Sequence, residues 1–314
     1  MTKPSSWSAA ADTDEFACTT VSPVLAAEPA RNTLLLTVFD RLRIEGPHAF
    51  GERYPQMLTW YDAQGAPVGA LLRTPPYAYL LSDVPAEGIE PLVDLMLDPR
   101  TGLDGREINL AESAVAPFTA AWTARTGKEP RVLERFRLYT LEELTVPDPA
   151  PRGSARLATQ EDAEFVARSL ESFWEEAEES MPRNARMTAL RMAGARIAEG
   201  IFWLWLDESG TPVSFAGHTP VVAGMGRVGP VYTPPELRGR GYAAGATIAV
   251  TRALLGRGAD EVLLFTDLAN PVSNRLYQRL GYRPVTDRAR LDFSLAPGRE
   301  RLRACAGTPG PPER

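Results

Sequence analysis

A glycine-rich loop in the second half of the chain combines the residue types that bind an anion through backbone groups. The stretch Arg238-Gly-Arg-Gly-Tyr-Ala243 follows a strand-forming run, Arg227–Thr233, and precedes a segment with helical periodicity, Tyr242–Arg257. Pro234 and Pro235 cannot continue a central strand, so the strand should end before them. Glycines permit a tight turn, and the free N–H groups at the start of a helix attract negative charge. The pattern predicts a cradle for a pyrophosphate; a solvated basic turn is the alternative.

A second group of polar residues opens the last predicted helix. Glu261–Asp267 is an apolar run of strand length, and Asn270 then stands as an N-cap, with Pro271 at the first helical position. Tyr277 follows on the same helix, which should end at Gly281. Asn270 is explained equally well as a simple cap, and Tyr277 as a residue of the apolar helix face.

The two motifs, in this order and with a helix and a strand between them, resemble the core of the GCN5-related N-acetyltransferases, the GNAT family. The loop Arg238–Ala243 fits the family pattern R-x-x-G-x-A, and Asn270 and Tyr277 have the spacing of an Asn and a Tyr that face coenzyme A in that family. The resemblance covers roughly residues 155–293. It implies the α/β (α+β) class, with a mixed, mostly antiparallel twisted sheet flanked by helices.

The resemblance also implies roles for individual residues. Tyr277 matches the general acid: a phenol titrates near ~10 and a thiol near ~8.5, so a tyrosine can share its proton with a departing thiolate. Thr233 stands where the family usually has an aliphatic residue. The residues implied in acetyl-CoA binding are Val231, Tyr232, Thr233, Arg238, Gly239, Arg240, Gly241, Tyr242, Ala243, Asn270 and Asn274.

An acidic segment follows the first predicted helix of this region, where the family covers its acceptor site. It contains four glutamates, of which Glu175 and Glu176 are candidate substrate-binding residues for a cationic amine. A solvated acidic helix end is the alternative. The sequence does not identify the base that deprotonates the acceptor; Glu175, Glu176 and His218 are candidates.

An internal repeat divides the chain into two parts. Residues 60–75 and 205–220 are identical at seven of sixteen positions, at a constant offset of 145. We therefore predict two GNAT-like halves, each with its own sheet: a degenerate half at residues 12–141 and a catalytic half at 154–296. A proline-rich linker at 142–153 joins them. Residues 1–11 and 297–314 are predicted to be disordered.

The first half lacks both coenzyme motifs. When the glycines that end the matching helices, Gly127 and Gly281, are aligned, Asn270 corresponds to Ala116 and Tyr277 to Thr123. This half is therefore expected to be structural, or to form part of the substrate cleft.

Composition excludes several classes of function. The chain has 314 residues, a net charge of −6, two histidines and two cysteines, which makes a metal site improbable. It has no basic block for nucleic acid, no apolar run of the ~20 residues that span a membrane, and no secretory signal, so a cytoplasmic location is expected. Composition does not indicate the oligomeric state.

These observations lead to one principal interpretation. The chain is expected to be an acetyl-CoA-dependent N-acetyltransferase that acetylates a primary amine of a small molecule or peptide by direct attack in a ternary complex. The alternatives are a non-catalytic acyl-CoA-binding sensor or assembly module, and a structural protein that binds no coenzyme.

Overall fold

The computed structural model describes residues 5–176 and 184–294. The first half contains, in chain order, β1 (Ser6–Ala9), α1 (Thr13–Phe16), α2 (Thr33–Glu45), β2 (Gln56–Tyr61), β3 (Pro67–Arg73), β4 (Tyr79–Leu81), α3 (Ile89–Leu97), β5 (Glu107–Ala111), α4 (Glu112–Thr126) and β6 (Arg131–Leu141). The second half contains β7 (Ser154–Leu157), α5 (Ala163–Glu176), α6 (Ala185–Ala198), β8 (Trp203–Leu206), β9 (Pro212–His218), β10 (Met225–Tyr232), α7 (Tyr242–Gly256), β11 (Glu261–Asp267), α8 (Pro271–Arg279) and β12 (Tyr282–Asp292). Helices and strands follow one another in the same order in both halves.

The hairpins β2–β3 and β8–β9 confirm the internal repeat at the level of single hydrogen bonds. In the first turn, Asp62 Oδ1 accepts the N–H groups of Gln64 and Ala66; in the second, Asp207 Oδ1 accepts those of Ser209 and Thr211. The glycine that closes each turn has nearly the same φ, 81° at position 65 and 84° at position 210. The repeated Asp and Gly therefore build the same turn twice.

The strands that close the two halves are exchanged. In the described residues the strands form one twelve-stranded sheet, in the order β1-β2-β3-β4-β5-β12-β6-β11-β10-β9-β8-β7. Strand β12 of the second half pairs with β5 of the first, whereas β6 of the first half pairs with β11 of the second. The prediction of a separate sheet in each half is corrected accordingly: the halves share one sheet, because each contributes its last strand to the other.

The predicted fold class is confirmed, since the sheet is mixed and mostly antiparallel with helices on both faces. The parallel pairs among the described strands are β4–β5 and β10–β11. In the second half, α7 and α8 pack on one face through Val228, Leu264 and Tyr277. Helix α2 packs on a cluster that contains Met225 and Leu263. Because successive side chains of a strand point to opposite faces, α2 and α7 cover opposite faces of the sheet.

The ends of the halves differ in part from the predictions. Residues 1–11 were predicted to be disordered, yet Ser6–Ala9 forms β1, which pairs antiparallel with β2, and the Trp7 indole donates to the Gly88 carbonyl at 2.8 Å. A four-residue edge strand is too short to show periodicity, which explains the error. The segment between β6 and β7 has neither helix nor strand. The predicted tail at 297–314 lies outside the described residues. Within 5–176 and 184–294, no helix combines the length and apolarity needed to cross a membrane.

Candidate active site

The parallel strands β10 and β11 separate halfway along their length. They pair in register from Met225–Glu261 to Val228–Leu264 and are not paired beyond that point. Strand β10 bulges there, since its pairing with β9 shifts between Val228 and Val231. Gly229 in the bulge has a φ of 148°, a value that favours glycine. The bulge therefore directs the end of β10 away from β11 and leaves an opening in the sheet.

The predicted cradle lies directly after the end of β10. Gly239 and Gly241 have φ values of 78° and 84°, and Gly241 is the N-cap of α7. No hydrogen bond within the described part of the chain uses the backbone N–H groups of residues 239–244. A side chain at Gly239 would meet open space, and one at Gly241 would contact Pro151 at 3.6 Å. The loop thus presents unpaired donors at the start of a fifteen-residue helix, an arrangement that suits a pyrophosphate.

Arg238 is engaged by a carboxylate rather than free to bind phosphate. Its Nη2 donates to Oε1 and Oε2 of Glu176 at 2.6 and 2.7 Å, and its Nε donates to the Thr233 carbonyl at 2.9 Å. The guanidinium also lies 5.6 Å from the centre of the Tyr232 ring. A candidate phosphate ligand and a candidate substrate-binding residue therefore neutralise each other. Within the described residues, the exposed Arg240 makes one hydrogen bond, to the Glu236 carbonyl at 3.4 Å.

The other acidic candidates give less information. Glu175 is exposed at the end of α5, and its side chain makes no hydrogen bond or ion pair within the described residues. The remaining two glutamates of the acidic segment, Glu178 and Glu179, lie outside the described residues.

The end of β10 is held by a short chain of hydroxyl groups. Thr233 Oγ1 donates to Ser214 Oγ at 2.8 Å, and Ser214 Oγ donates to the Tyr232 carbonyl at 2.9 Å. Val231 is partly buried and pairs with Ala216 of β9. Thr233, which departs from the family's aliphatic residue, thus positions the strand end through its hydroxyl. The partly buried Tyr242 and Ala243 form the first turn of α7.

Tyr277 is buried on α8 but its hydroxyl is not sealed. The residue is 8% exposed, and its ring meets the Tyr282 ring edge-on at 6.2 Å. In the described structure its hydroxyl has no hydrogen-bond partner, and it is not among the enclosed unpaired atoms, so it keeps contact with solvent. Burial raises the pKa of Tyr277 to about 12. The side chain is therefore a neutral donor that points an unused hydroxyl at an accessible space.

The two asparagines of α8 have structural roles. Asn270 is the N-cap, and its Oδ1 accepts the N–H groups of Val272 and Ser273 at 3.2 and 3.0 Å. Asn274 Nδ2 donates to the carbonyls of Asp267 and Asn270 at 2.8 and 2.7 Å. Its Oδ1 accepts the hydroxyl of Tyr139 on β6 at 2.8 Å. Asn274 therefore joins the exchanged strand to α8, and little of its bonding capacity remains for a coenzyme.

His218 is not arranged as a base. Its Nδ1 lies 2.8 Å from the Thr219 carbonyl, which fixes the proton on that nitrogen. Nε2 is enclosed and has no partner in the described structure. Burial lowers the pKa of His218, so the ring is neutral at pH 7. His218 pairs with Val228 at the start of the bulge, but its free nitrogen is enclosed and cannot be reached by an acceptor from solvent.

Two residues of the site region were missed from the sequence. Tyr139 and Arg227 lie near the opening between β10 and β11. Tyr139 belongs to a strand of the first half, and Arg227 stands in a run with an ordinary strand pattern. Only the strand exchange and the packing of α2 reveal their contacts.

Residues 163–282 match the model of the Acetyltransferase (GNAT) family. Two curated relatives are mycothiol acetyltransferases. The one from Thermobispora bispora is 29% identical over 197 residues, covering 57% of this chain and 63% of the relative. The one from Arthrobacter sp. (strain FB24) is 31% identical over 175 residues, covering 51% and 52%. The matched region thus spans less than two thirds of either relative.

Several solved structures share the fold. A Drosophila protein is similar with a TM-score of 0.60 at 14% identity, covering 92% of this chain and 98% of that one. A tandem GNAT protein from the clavulanic acid biosynthesis pathway has a TM-score of 0.55 at 16% identity, covering 91% and 97%. A GCN5-related N-acetyltransferase from Sphaerobacter thermophilus has a TM-score of 0.53 at 18% identity, covering 75% and 79%. These structures show a shared fold, and the family match identifies residues 163–282 of this chain as a domain of the acetyltransferase (GNAT) family.

Proposed function

We propose that this protein is an N-acetyltransferase that transfers the acetyl group of acetyl-CoA to a primary amine. The observation that carries the proposal is the cradle at residues 239–244, whose N–H groups have no partner in the described structure. A pyrophosphate would take up these donors together, and the helix dipole of α7 favours its charge. The domain match and the relatives' acetyltransferase names support the same activity.

In this proposal the opening between β10 and β11 receives the arm of the coenzyme. The end of β10 is held in place by Ser214 and Thr233, so its backbone is fixed before the substrate arrives. The amine attacks the thioester carbonyl directly, the C–S bond breaks, and the amine proton leaves to solvent or a base that the described residues do not identify.

Tyr277 is proposed to stabilise the departing thiolate by a hydrogen bond. Its pKa of about 12 lies roughly 3.5 units above that of an ordinary thiol, and each unit corresponds to about 1.36 kcal/mol. Complete proton transfer from this tyrosine would therefore be uphill by about 5 kcal/mol. The hydroxyl is better suited to share its proton with the sulfur than to lose it, and bulk water then supplies the proton of the free thiol.

A coenzyme titration tests the proposal, with Gly241→Glu as the disrupting variant. A carboxylate at Gly241 repels a pyrophosphate and its side chain fills the loop, so calorimetry should show loss of acetyl-CoA binding. Gly210→Glu is the matched control, because Gly210 has the same φ of 84° in an exposed turn far from the cradle in the sequence. Equal coenzyme affinity in both variants would contradict the cradle.

Release of free thiol with a panel of amines then tests turnover. An enzyme should show amine-dependent thiol release that is lost with Gly241→Glu. A protein that binds acetyl-CoA with the wild-type loop but acetylates no amine would instead be the non-catalytic acyl-CoA sensor.

A further inference from the structure

Arg227 on β10 is a partly buried cation held by neutral oxygen atoms. Its Nη1 donates to the Thr33 carbonyl at 2.8 Å, to Thr33 Oγ1 at 2.9 Å and to Thr37 Oγ1 at 2.7 Å. Both threonines belong to α2, so this contact links β10 of the second half to a helix of the first half. The Nη1 group of the guanidinium is therefore already hydrogen-bonded.

No carboxylate of the described residues balances this charge. Burial alone lowers the pKa of Arg227, to about 10, and the group is still charged at neutral pH. The well-buried Arg73 of the first half has a counter-charge, with Asp104 at 2.7 Å from its Nη1. A charge that is partly withdrawn from water and has no counter-charge carries a desolvation cost. The missing anion at Arg227 therefore requires an explanation that Arg73 does not.

The other edge of the guanidinium is unused and accessible. Nε and Nη2 of Arg227 have no partner within residues 5–176 and 184–294, yet they are not among the enclosed unpaired atoms. Arg288 shows the contrast, because its unpaired Nη1 is enclosed. Two adjacent N–H donors in a fixed plane match the two oxygens of a carboxylate.

Arg227 lies beside the opening in the sheet. It is one residue before Val228, the last residue of β10 that pairs with β11. Val228 packs in the same cluster as Tyr277, under α7 and α8. Since strand side chains alternate, Arg227 projects to the opposite face, where α2 lies. A molecule that approaches the opening from the α2 face would meet Arg227 before it reaches the level of Tyr277.

We propose that Arg227 binds a carboxylate of the acceptor, so that the acceptor is an amine that also carries a carboxylate group. The first turn of α2, to which Thr33 belongs, adds a partial positive charge at the same place. This inference rests on the proposed acetyl transfer, because it takes the bound amine to be the acetyl acceptor. The anion site itself rests only on the contacts of Arg227. Glu176, a candidate partner for the amine, is already paired with Arg238.

The test compares amines that differ only in charge. Glycine, β-alanine and γ-aminobutyrate are each paired with their C-terminal amides, and binding to the full chain is measured by the shift in thermal unfolding at constant ionic strength. The acids should stabilise the wild type and the amides should not. Arg227→Gln should weaken binding of the acids by about 10- to 100-fold, the loss expected for hydrogen bonds to a charged group. Arg227→Lys should keep part of the preference, because it keeps the charge but not the fork.

Arg252→Gln is the control, since Arg252 is exposed on α7 and its removal should leave the acid preference intact. If Arg227→Gln does not fold, the comparison of acids with amides on the wild-type protein still tests the proposal. Equal response to acids and amides, or no response to any acid, overturns the proposal. Acetyl-CoA titration of the same samples separates the two hypotheses. Coenzyme binding with equal acetylation of acids and amides rejects only the carboxylate site, whereas acid binding without coenzyme binding rejects only the acetyl transfer.

Discussion

Arg137 and Asp287 form a two-fold ion pair across the exchanged strands, with Nε to Oδ1 at 2.6 Å and Nη2 to Oδ2 at 2.7 Å. The two residues face each other in the register of β6 and β12, so one strand from each half contributes to the pair. Both side chains are about 30% exposed, at 31% and 29%. The contact therefore reports directly on the association of the halves.

We expect Arg137→Met to lower the free energy of unfolding by about 1 kcal/mol, at the upper end for a partly exposed pair. A double-mutant cycle with Asp287→Asn in chemical denaturation should return most of that value as coupling energy. Arg152→Met is the control, because Arg152 is 83% exposed and 3.8 Å from Glu208. A coupling energy near zero would mean that the strand exchange does not depend on this pair.

We expect one molecule of acetyl-CoA to bind per chain. In the first half, the start of α3 is covered by Trp7, which donates to the Gly88 carbonyl, and by Trp60, whose ring lies 3.1 Å from the place that a Cβ at Gly88 would take. Beyond the paired part of β4 and β5, the buried Arg288 donates to the Leu81 carbonyl at 2.6 Å. The places in the first half that correspond to the cradle and to the opening between β10 and β11 are thus filled by side chains. Calorimetry with a stoichiometry of two would contradict this prediction.

Tyr277→Phe should slow acyl transfer without weakening the protein. Positioned proton donors typically contribute about 10²–10⁴-fold to a rate, and the ring packing against Tyr282 is kept. Because the hydroxyl bonds to nothing in the described structure, stability should change by less than about 0.5 kcal/mol. Single-turnover acyl transfer and chemical denaturation measure the two effects. A wild-type transfer rate would remove Tyr277 from the mechanism.

The stability of the protein should fall at high pH because of two buried tyrosines. Burial raises the pKa of Tyr277 to about 12 and also raises the pKa of Tyr282. An unfolded tyrosine titrates near ~10, so the folded state binds more protons above that pH. The stabilisation that comes from the two protonated tyrosines is complete below pH ~10, and it is lost as the pH rises through their pKa values in the folded state. Unfolding at pH 8 and above pH 10 tests this, and Tyr277→Phe should reduce the slope.

Glu176→Gln should strengthen coenzyme binding. The change removes the carboxylate that pairs with Arg238 at 2.6 Å and leaves the arginine free to turn toward a phosphate of the cradle. A several-fold lower Kd for acetyl-CoA is expected, with a steeper dependence on salt concentration. Glu175→Gln is the matched control, since Glu175 is exposed and unpaired in the described residues. Unchanged or weaker binding in Glu176→Gln would show that the pair orders the loop instead.

The parts of the site that depend on local signals could be predicted from the sequence. Gly241 must adopt a positive φ and Pro271 must open a helix, so both mark their elements without knowledge of the rest of the fold. The repeated Asp62 and Asp207 define the same turn for the same reason. The fold class, which the family resemblance implied, is confirmed.

The contacts between distant segments could not be predicted. Periodicity shows that residues 131–141 form a strand, but it does not show whether that strand pairs within its own half or with β11. Similarly, Arg238 and Glu176 are 62 positions apart, and each has a plausible separate role until the ion pair is seen. Asn274 has the spacing of a coenzyme ligand, yet its bonds go to Tyr139 and to two carbonyls.

The exchange of β6 and β12 has a consequence for synthesis of the chain. As the polypeptide leaves the ribosome, β6 emerges before any residue of β11 or β12, its two neighbours in the sheet. The edge of β5 likewise waits for β12, the last strand of the described chain. Unpaired strand edges invite contacts with other chains. The first half should therefore remain incomplete until the second half has been translated, and premature arrest between the halves should yield an aggregating fragment rather than a folded domain.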